Sequence, residues 1–126
     1  LPPGLGIISW NELMADDVAR GFGFYSLLFG WVPAGAMEMG EHGTYFMAGR
    51  AKDKHEVGMM KTPPMPGAHA AWLYYITVDD CLQRVERAQA MGAKLLTPPM
   101  DVPGGKAAVM MDPQGTVFAM WSKTPA

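Results

Sequence analysis

The chain repeats itself at a spacing of 62 residues, and this constrains its fold more than any other feature. Shifted by 62 positions without gaps, Trp10 falls on Trp72, Asp17 on Asp79, Gly30 on Gly92 and Gly43 on Gly105. Most other positions differ, but these matches land at equivalent punctuation: a strand, a helix start, a helix end and a turn. Twice the spacing nearly spans the 126 residues. The sequence therefore predicts two copies of one module.

Each half reads as βαβββ. In the first, Ile7, Ile8, Trp10 and Leu13 suggest a strand over 6–15. Asp16 or Asp17 then caps a helix, its carboxylate accepting from free backbone N–H groups. Val18, Phe22, Tyr25 and Phe29 recur at helical spacing on one face. Gly30 ends the helix by adopting a left-handed conformation at little cost. Short strands follow near 36–39, 44–48 and 56–60. The second half repeats the order, with a strand over 71–78, a cap at Asp79 or Asp80, and a helix burying Leu82, Val85, Ala88 and Met91. Gly92 stops it, and strands near 95–97, 107–111 and 116–121 complete the module. The expected boundaries are 6–62 and 68–124, joined within a single domain by a linker over 62–67. Its three prolines suit neither a helix interior nor a central strand. One module alone leaves a sheet face bare. Two modules enclose a cleft, so the expected class is α+β with paired curved sheets and a ligand site at the junction.

Composition narrows the function. About half the residues are hydrophobic (49%) and 17% are charged, which argues against disorder. A net charge of −2 without basic runs sets nucleic acid aside. No apolar run approaches a membrane span, and no signal peptide is visible. Cys81 is the single cysteine, which precludes an internal disulfide and points to a reducing cytoplasm. Twelve methionines fill core gaps or line an adaptable pocket.

Specific motifs carry a resemblance. Trp10-x-Glu12-Leu13, Asp17, Phe24-Tyr25 and Leu28-Phe29-Gly30-Trp31 resemble the first module of the glyoxalase/bleomycin-resistance/dioxygenase, or vicinal-oxygen-chelate, family. Trp72-x-x-Tyr75-x-x-Val78-Asp79-Asp80, Met91-Gly92-Ala93 and the ending Asp112-Pro113-Gln114-Gly115-Thr116-Val117-Phe118-Ala119-Met120-Trp121 are similar to the second. The resemblance implies the paired βαβββ fold and, for metal-using members, His, Glu or Gln ligands from the first and last strand of each module. Here those positions fall at or beside Trp10, Val57 to Met60, Trp72 or Leu73, and Ala119. None is a carboxylate, amide or imidazole, and an indole N–H only donates. Neither a metal nor another cofactor is expected. His42, His55 and His69 sit in turns or at the linker, without paired spacing. Family members often pair, so a homodimer is expected.

Strand alternation then proposes a pocket. If the former ligand positions face the cleft, so do Trp10, Glu12 and Met14, then Trp72, Tyr74 and Ile76, then Val57 and Met59, and finally Val117, Ala119 and Trp121. A one-residue slip would exchange the two faces. The expected ligand-binding residues are Trp10, Glu12, Met59, Trp72, Tyr74, Ala119 and Trp121, with Glu12 as the candidate catalytic acid/base. Such walls suit a small apolar or aromatic molecule with one polar handle. A carboxylate there loses hydration, and its pKa should rise unless a donor or cation pairs with it. Glu12 reads evenly as a cation binder or as a partly buried acid held by Tyr or Trp donors or by Arg, and a general-base role ranks below either because no partner acid, base or electrophile is visible. Lys106 borders the turn at Gly104-Gly105 and reads as a solvated lysine or a ligand contact. Three functions remain open: a metal-free binding protein, a lyase, isomerase or ring-acting enzyme using Glu12, and a homodimeric accessory module.

Overall fold

The computed structural model describes residues 4–64 and 68–124. Met65, Pro66 and Gly67 of the expected linker lie outside the described residues, as do Leu1 to Pro3. The element order is β1 (Ile8–Ala15), α1 (Val18–Phe29), β2 (Val32–Glu38), a 3-10 turn (Gly40–His42), β3 (Thr44–Gly49), β4 (Val57–Lys61), β5 (Ala71–Thr77), α2 (Cys81–Ala90), β6 (Lys94–Val102), β7 (Gly105–Met111) and β8 (Val117–Lys123). The expected βαβββ order thus appears twice in an α+β chain.

The residues group into two compact units, Trp10–Leu73 and a second formed by residues 4–9 and 74–124. In the first, the strands run β2-β3-β4-β1, with β1 and β4 parallel and the other pairs antiparallel. Leu13, Ala15, Ala48, Val57 and Met59 form its buried core, packed by Val18, Phe22, Tyr25, Trp31 and Trp72. In the second, the order is β5-β8-β7-β6, with β5 and β8 parallel. Cys81, Val85, Ala108, Met110 and Met120 form its core.

The helix starts follow the expected chemistry. The Asp17 carboxylate accepts from the Arg20 N–H, and Asp80 accepts from Gln83. Asp79 instead holds Arg84. Gly30 closes α1 at φ 74°, its N–H bonded to the Ser26 carbonyl, a conformation costly for any residue with a Cβ. Gly21 rests over Ala15 and Leu13, so α1 lies close to its sheet there. Two strands are longer than the sequence suggested. β2 begins at Val32 and tolerates Pro33 through a register shift before Gly35. β6 runs through Pro98 and Pro99 with shifts on either side of Thr97. Both lie at the outer end of their strand order, where a missing N–H breaks no ladder.

The repeat is not at a constant spacing. The caps Asp17 and Asp80 are 63 residues apart. On the last strands, Gly58 lies opposite Glu12 and Ala119 lies opposite Tyr75, a spacing of 61. A helix two residues shorter in the second unit accounts for the drift, 10 residues against 12. A spacing of 62 is therefore correct on average and one residue wrong on the strands that matter.

That slip corrects part of the expected pocket. Leu13 pairs with Met59 in β1 and β4, and both belong to the core under α1. Val57 and Met59 therefore face the helix rather than the opposite side, and Met59 is 1% exposed. In the second unit, Ile76 pairs with Met120, which packs in the core with Cys81 and Val85 of α2. Strand alternation places Tyr74 and Trp72 on that same side of β5. Trp72 packs in the first unit's core, and its indole N–H donates to the Tyr25 hydroxyl at 3.2 Å. Trp10, Glu12 and Met14 lie on the side of β1 opposite Leu13 and Ala15, and Ala119 and Trp121 lie on the side of β8 opposite Met120.

Candidate functional site

On the first unit's sheet, the face turned away from α1 collects the chemistry. Glu12 on β1 is 4% exposed, one of two buried polar side chains among the described residues; Ser122 is the other. Its neighbour across β4 is Gly58, and Met47 on β3 pairs with Gly58. Strand alternation places Tyr45 on the same face.

Tyr45 organises this face. The Trp10 indole Nε1–H donates to the Tyr45 hydroxyl at 2.8 Å. The Glu12 carboxylate lies close enough to bear on that hydroxyl's titration. Indole, phenol and carboxylate form a row in which the indole donates to the phenol, because an indole N–H cannot accept. Burial, and then the Glu12 charge, push the Tyr45 hydroxyl well above the ordinary phenol pKa, while the Trp10 N–H pulls the other way. Tyr45 therefore keeps its proton. The Tyr45 hydroxyl occupies the space where any Cβ at position 58 would stand, so only glycine fits.

Methionines surround this row. Met14 pairs with Met60, Met37 with Tyr45, and Met47 with Gly35 and Gly58. All four are half-buried and share the face of Glu12. The face is thus soft, apolar and aromatic, with one acid near its middle.

In the second unit, the face opposite α2 carries Tyr75 paired with Ala119, and Thr77 paired with Trp121. Ala119 is fully buried and Trp121 half-buried. Tyr74, on the other side of β5, is 49% exposed. Lys106 forms an ion pair with Asp101 at 2.6 Å. Burial pushes the Cys81 thiol up, the reverse of an activated nucleophile.

On these registers the ligand positions that the resemblance implies correspond to Trp10, Gly58, Leu73 and Ala119. These are an N–H donor already spent on Tyr45, a glycine whose side-chain space is filled, and two buried hydrocarbons. Among the described residues, no three His, Cys, Asp or Glu side chains gather to hold an ion. These side chains do not fit a divalent metal, which wants oxygen or nitrogen lone pairs.

The sequence reading brought Trp10 and Glu12 together but missed Tyr45 and Met37. They lie on β3 and β2, strands that neither the repeat nor the ligand pattern marks. One signal was present: Gly58 interrupts an otherwise apolar strand, which indicates a close approach by something bulky.

No helix among the described residues is long and apolar enough to cross a membrane. The chain is 35% identical over 123 residues to the putative glyoxylase CFP32 of Mycobacterium tuberculosis, covering 95% of this chain and 45% of that protein. It is 32% identical over 130 residues to the anthracycline biosynthesis protein DnrV of Streptomyces peucetius, covering 94% and 47%. The chain thus spans about half the length of these curated relatives. The crystal structure of methylmalonyl-CoA epimerase from Mycobacterium tuberculosis has the same fold, with a TM-score of 0.66 at 12% identity, covering 99% of this chain and 93% of that one. The model of the Glyoxalase/Bleomycin resistance protein/Dioxygenase superfamily matches residues 7–120, and the chain belongs to that family.

Proposed function

We propose that this chain is a small-molecule-binding domain that works without a divalent metal ion, with Glu12 as its polar anchor. The observation that carries this reading is the buried Glu12 beside the hydrogen-bonded pair Trp10 and Tyr45, on a methionine-rich sheet face where the ligand positions implied by the resemblance hold no lone-pair donor. Methionine adapts to different guest shapes, and Trp10 and Tyr45 offer flat surfaces. Glu12 favours a guest that brings a cationic group or an N–H donor. The two modules are taken as one functional domain, and the single buried cysteine fits a reducing cytoplasm.

A screen of flat aromatic compounds with and without an amine tests this reading, using tryptophan fluorescence and melting temperature. Aromatic amines should quench and stabilise, and Glu12→Gln should weaken the amines more than their neutral analogues. If no compound shifts either signal, the binding reading loses its support.

The Glu12–Tyr45 contact favours a second reading. A carboxylate beside a phenol that keeps its proton is the arrangement of a general base with a neighbouring hydrogen-bond donor. Glu12 would then remove a proton from a bound substrate. In that case Glu12→Gln retains binding and abolishes turnover. Undiminished turnover in that variant eliminates the mechanism.

A further inference from the structure

We propose that His55, Met47 and Met37 form a site for a soft monovalent metal ion, Cu(I), at the β2 end of the first unit's sheet. Two of these side chains come together over Gly35. A Cβ placed on Gly35 would meet Met47 Cε at 3.3 Å and His55 Nε2 at 3.9 Å. A thioether from β3 and an imidazole from the loop between β3 and β4 therefore border one point, and glycine leaves that point open. Met37 stands two residues from Gly35 on β2, roughly 7 Å along the strand and on the same face. Its side chain is long and flexible enough to bring the sulfur toward that point. Met37 and Met47 are half-buried and His55 is exposed, so an ion can enter from water.

The loop that carries His55 is pinned on both sides of it. The Lys54 N–H donates to the Ala51 carbonyl at 2.9 Å, and the Glu56 N–H donates to the Ala48 carbonyl at 3.0 Å. The Glu56 carboxylate accepts from the Arg50 backbone N–H and from its guanidinium. The Lys54 carbonyl stands where Gly49 would carry a Cβ, so the loop lies against the sheet. This pinning lowers the cost of ordering the imidazole when an ion binds. The donor types select the ion. A thioether is a neutral, soft ligand that favours Cu(I), and imidazole accepts the same metal. Mg(II) and Ca(II) want oxygen, and Zn(II) takes thiolate, imidazole or carboxylate rather than thioether. Glu56, next to His55 in the chain, is already engaged by Arg50. Nothing in this site depends on what Glu12 binds.

Titration with Ag(I), a redox-inert stand-in, and with Cu(I) under argon against a chromogenic Cu(I) chelator tests the proposal. The expected result is a single bound ion per chain. The methyl NMR signals of Met37 and Met47, assigned from their Leu variants, should shift as the ion is added. His55→Ala, Met47→Leu and Met37→Leu should each weaken binding by about tenfold or more, because losing a ligand costs at least as much as losing a group that orients one. These variants should fold, since Met→Leu conserves volume and His55 is exposed. Cys81→Ala should bind as the unaltered chain does, because that thiol is buried in the second unit. Absence of binding overturns the proposal. Binding that survives any of the three ligand substitutions, or that is lost in Cys81→Ala, overturns it too, because the ion then sits elsewhere. Zn(II) binding as tight as that of Ag(I) overturns the assignment of a soft ion. If a ligand variant unfolds, His55→Gln, Met47→Ile or Met37→Ile takes its place under the same criteria.

Discussion

The two units share one order of elements but spend their residues differently. The first sets a buried acid, a phenol and an indole in a row across its sheet, the indole bonded to the phenol, and leaves its helix apolar on both sides. The second puts a buried alanine, Ala119, where the first has Gly58, and gives its helix an ordinary charged exterior. The difference teaches that a βαβββ repeat fixes where side chains can stand without fixing what they do. The polar row is described in the first unit, and the second has the more conventional division between core and solvent.

The sharpest way to break this comparison is Gly58→Ala. A Cβ there displaces the Tyr45 hydroxyl, and overpacking together with a broken buried network should cost about 3 kcal/mol. Urea unfolding measures it. A loss under 1 kcal/mol would mean that Tyr45 moves aside freely and that the row is not rigid.

Tyr45→Phe should cost roughly 1–2 kcal/mol, because the part-buried Trp10 donor loses its partner. The same residue carries a pH signature. Its folded pKa is raised, so above about pH 10 the unfolded chain releases this proton while the folded chain keeps it. Stability from this source is fully present below that pH and is lost as pH rises further, by up to about 1.4 kcal/mol per unit. Tyr45→Phe should flatten this alkaline limb. Glu12→Gln should flatten it only in part, since burial is the larger cause. An alkaline limb identical in all three proteins would contradict the assignment.

Val85→Ala in α2 should cost about 2 kcal/mol. Leu27→Ala in α1 should stay within about 0.5 kcal/mol. Comparable costs would erase the distinction between the two helices. The smallest contrast concerns the caps. Asp17→Ala and Asp80→Ala should each cost about 1 kcal/mol and differ little from each other, because both carboxylates accept the same backbone bond.

Local chemistry was legible in the sequence because it acts within a few residues. Asp17, Asp80 and Gly30 could be placed from neighbouring residues alone. Strand faces required a register across the whole chain, and there a rigid spacing of 62 failed. It kept Glu12 and Ala119 on the intended side and turned Met59 and Trp72 to the other. Side-chain alternation has a period of two, so a slip of one is the largest error it can make. Tyr45 was hidden for another reason. Its role comes from a hydroxyl that fills the space over Gly58 on β4 and accepts from Trp10 on β1, 35 residues away in sequence.

The prolines within β2 and β6 have a consequence of their own. Pro33, Pro98 and Pro99 sit where the strand order ends, at points where pairing already shifts. A tertiary amide offers no hydrogen to an incoming strand, and a shifted register offers it no even template. These rims are poor seeds for ribbon extension or fibril growth, so any contact between neighbouring molecules must be read from side chains rather than from open peptide groups.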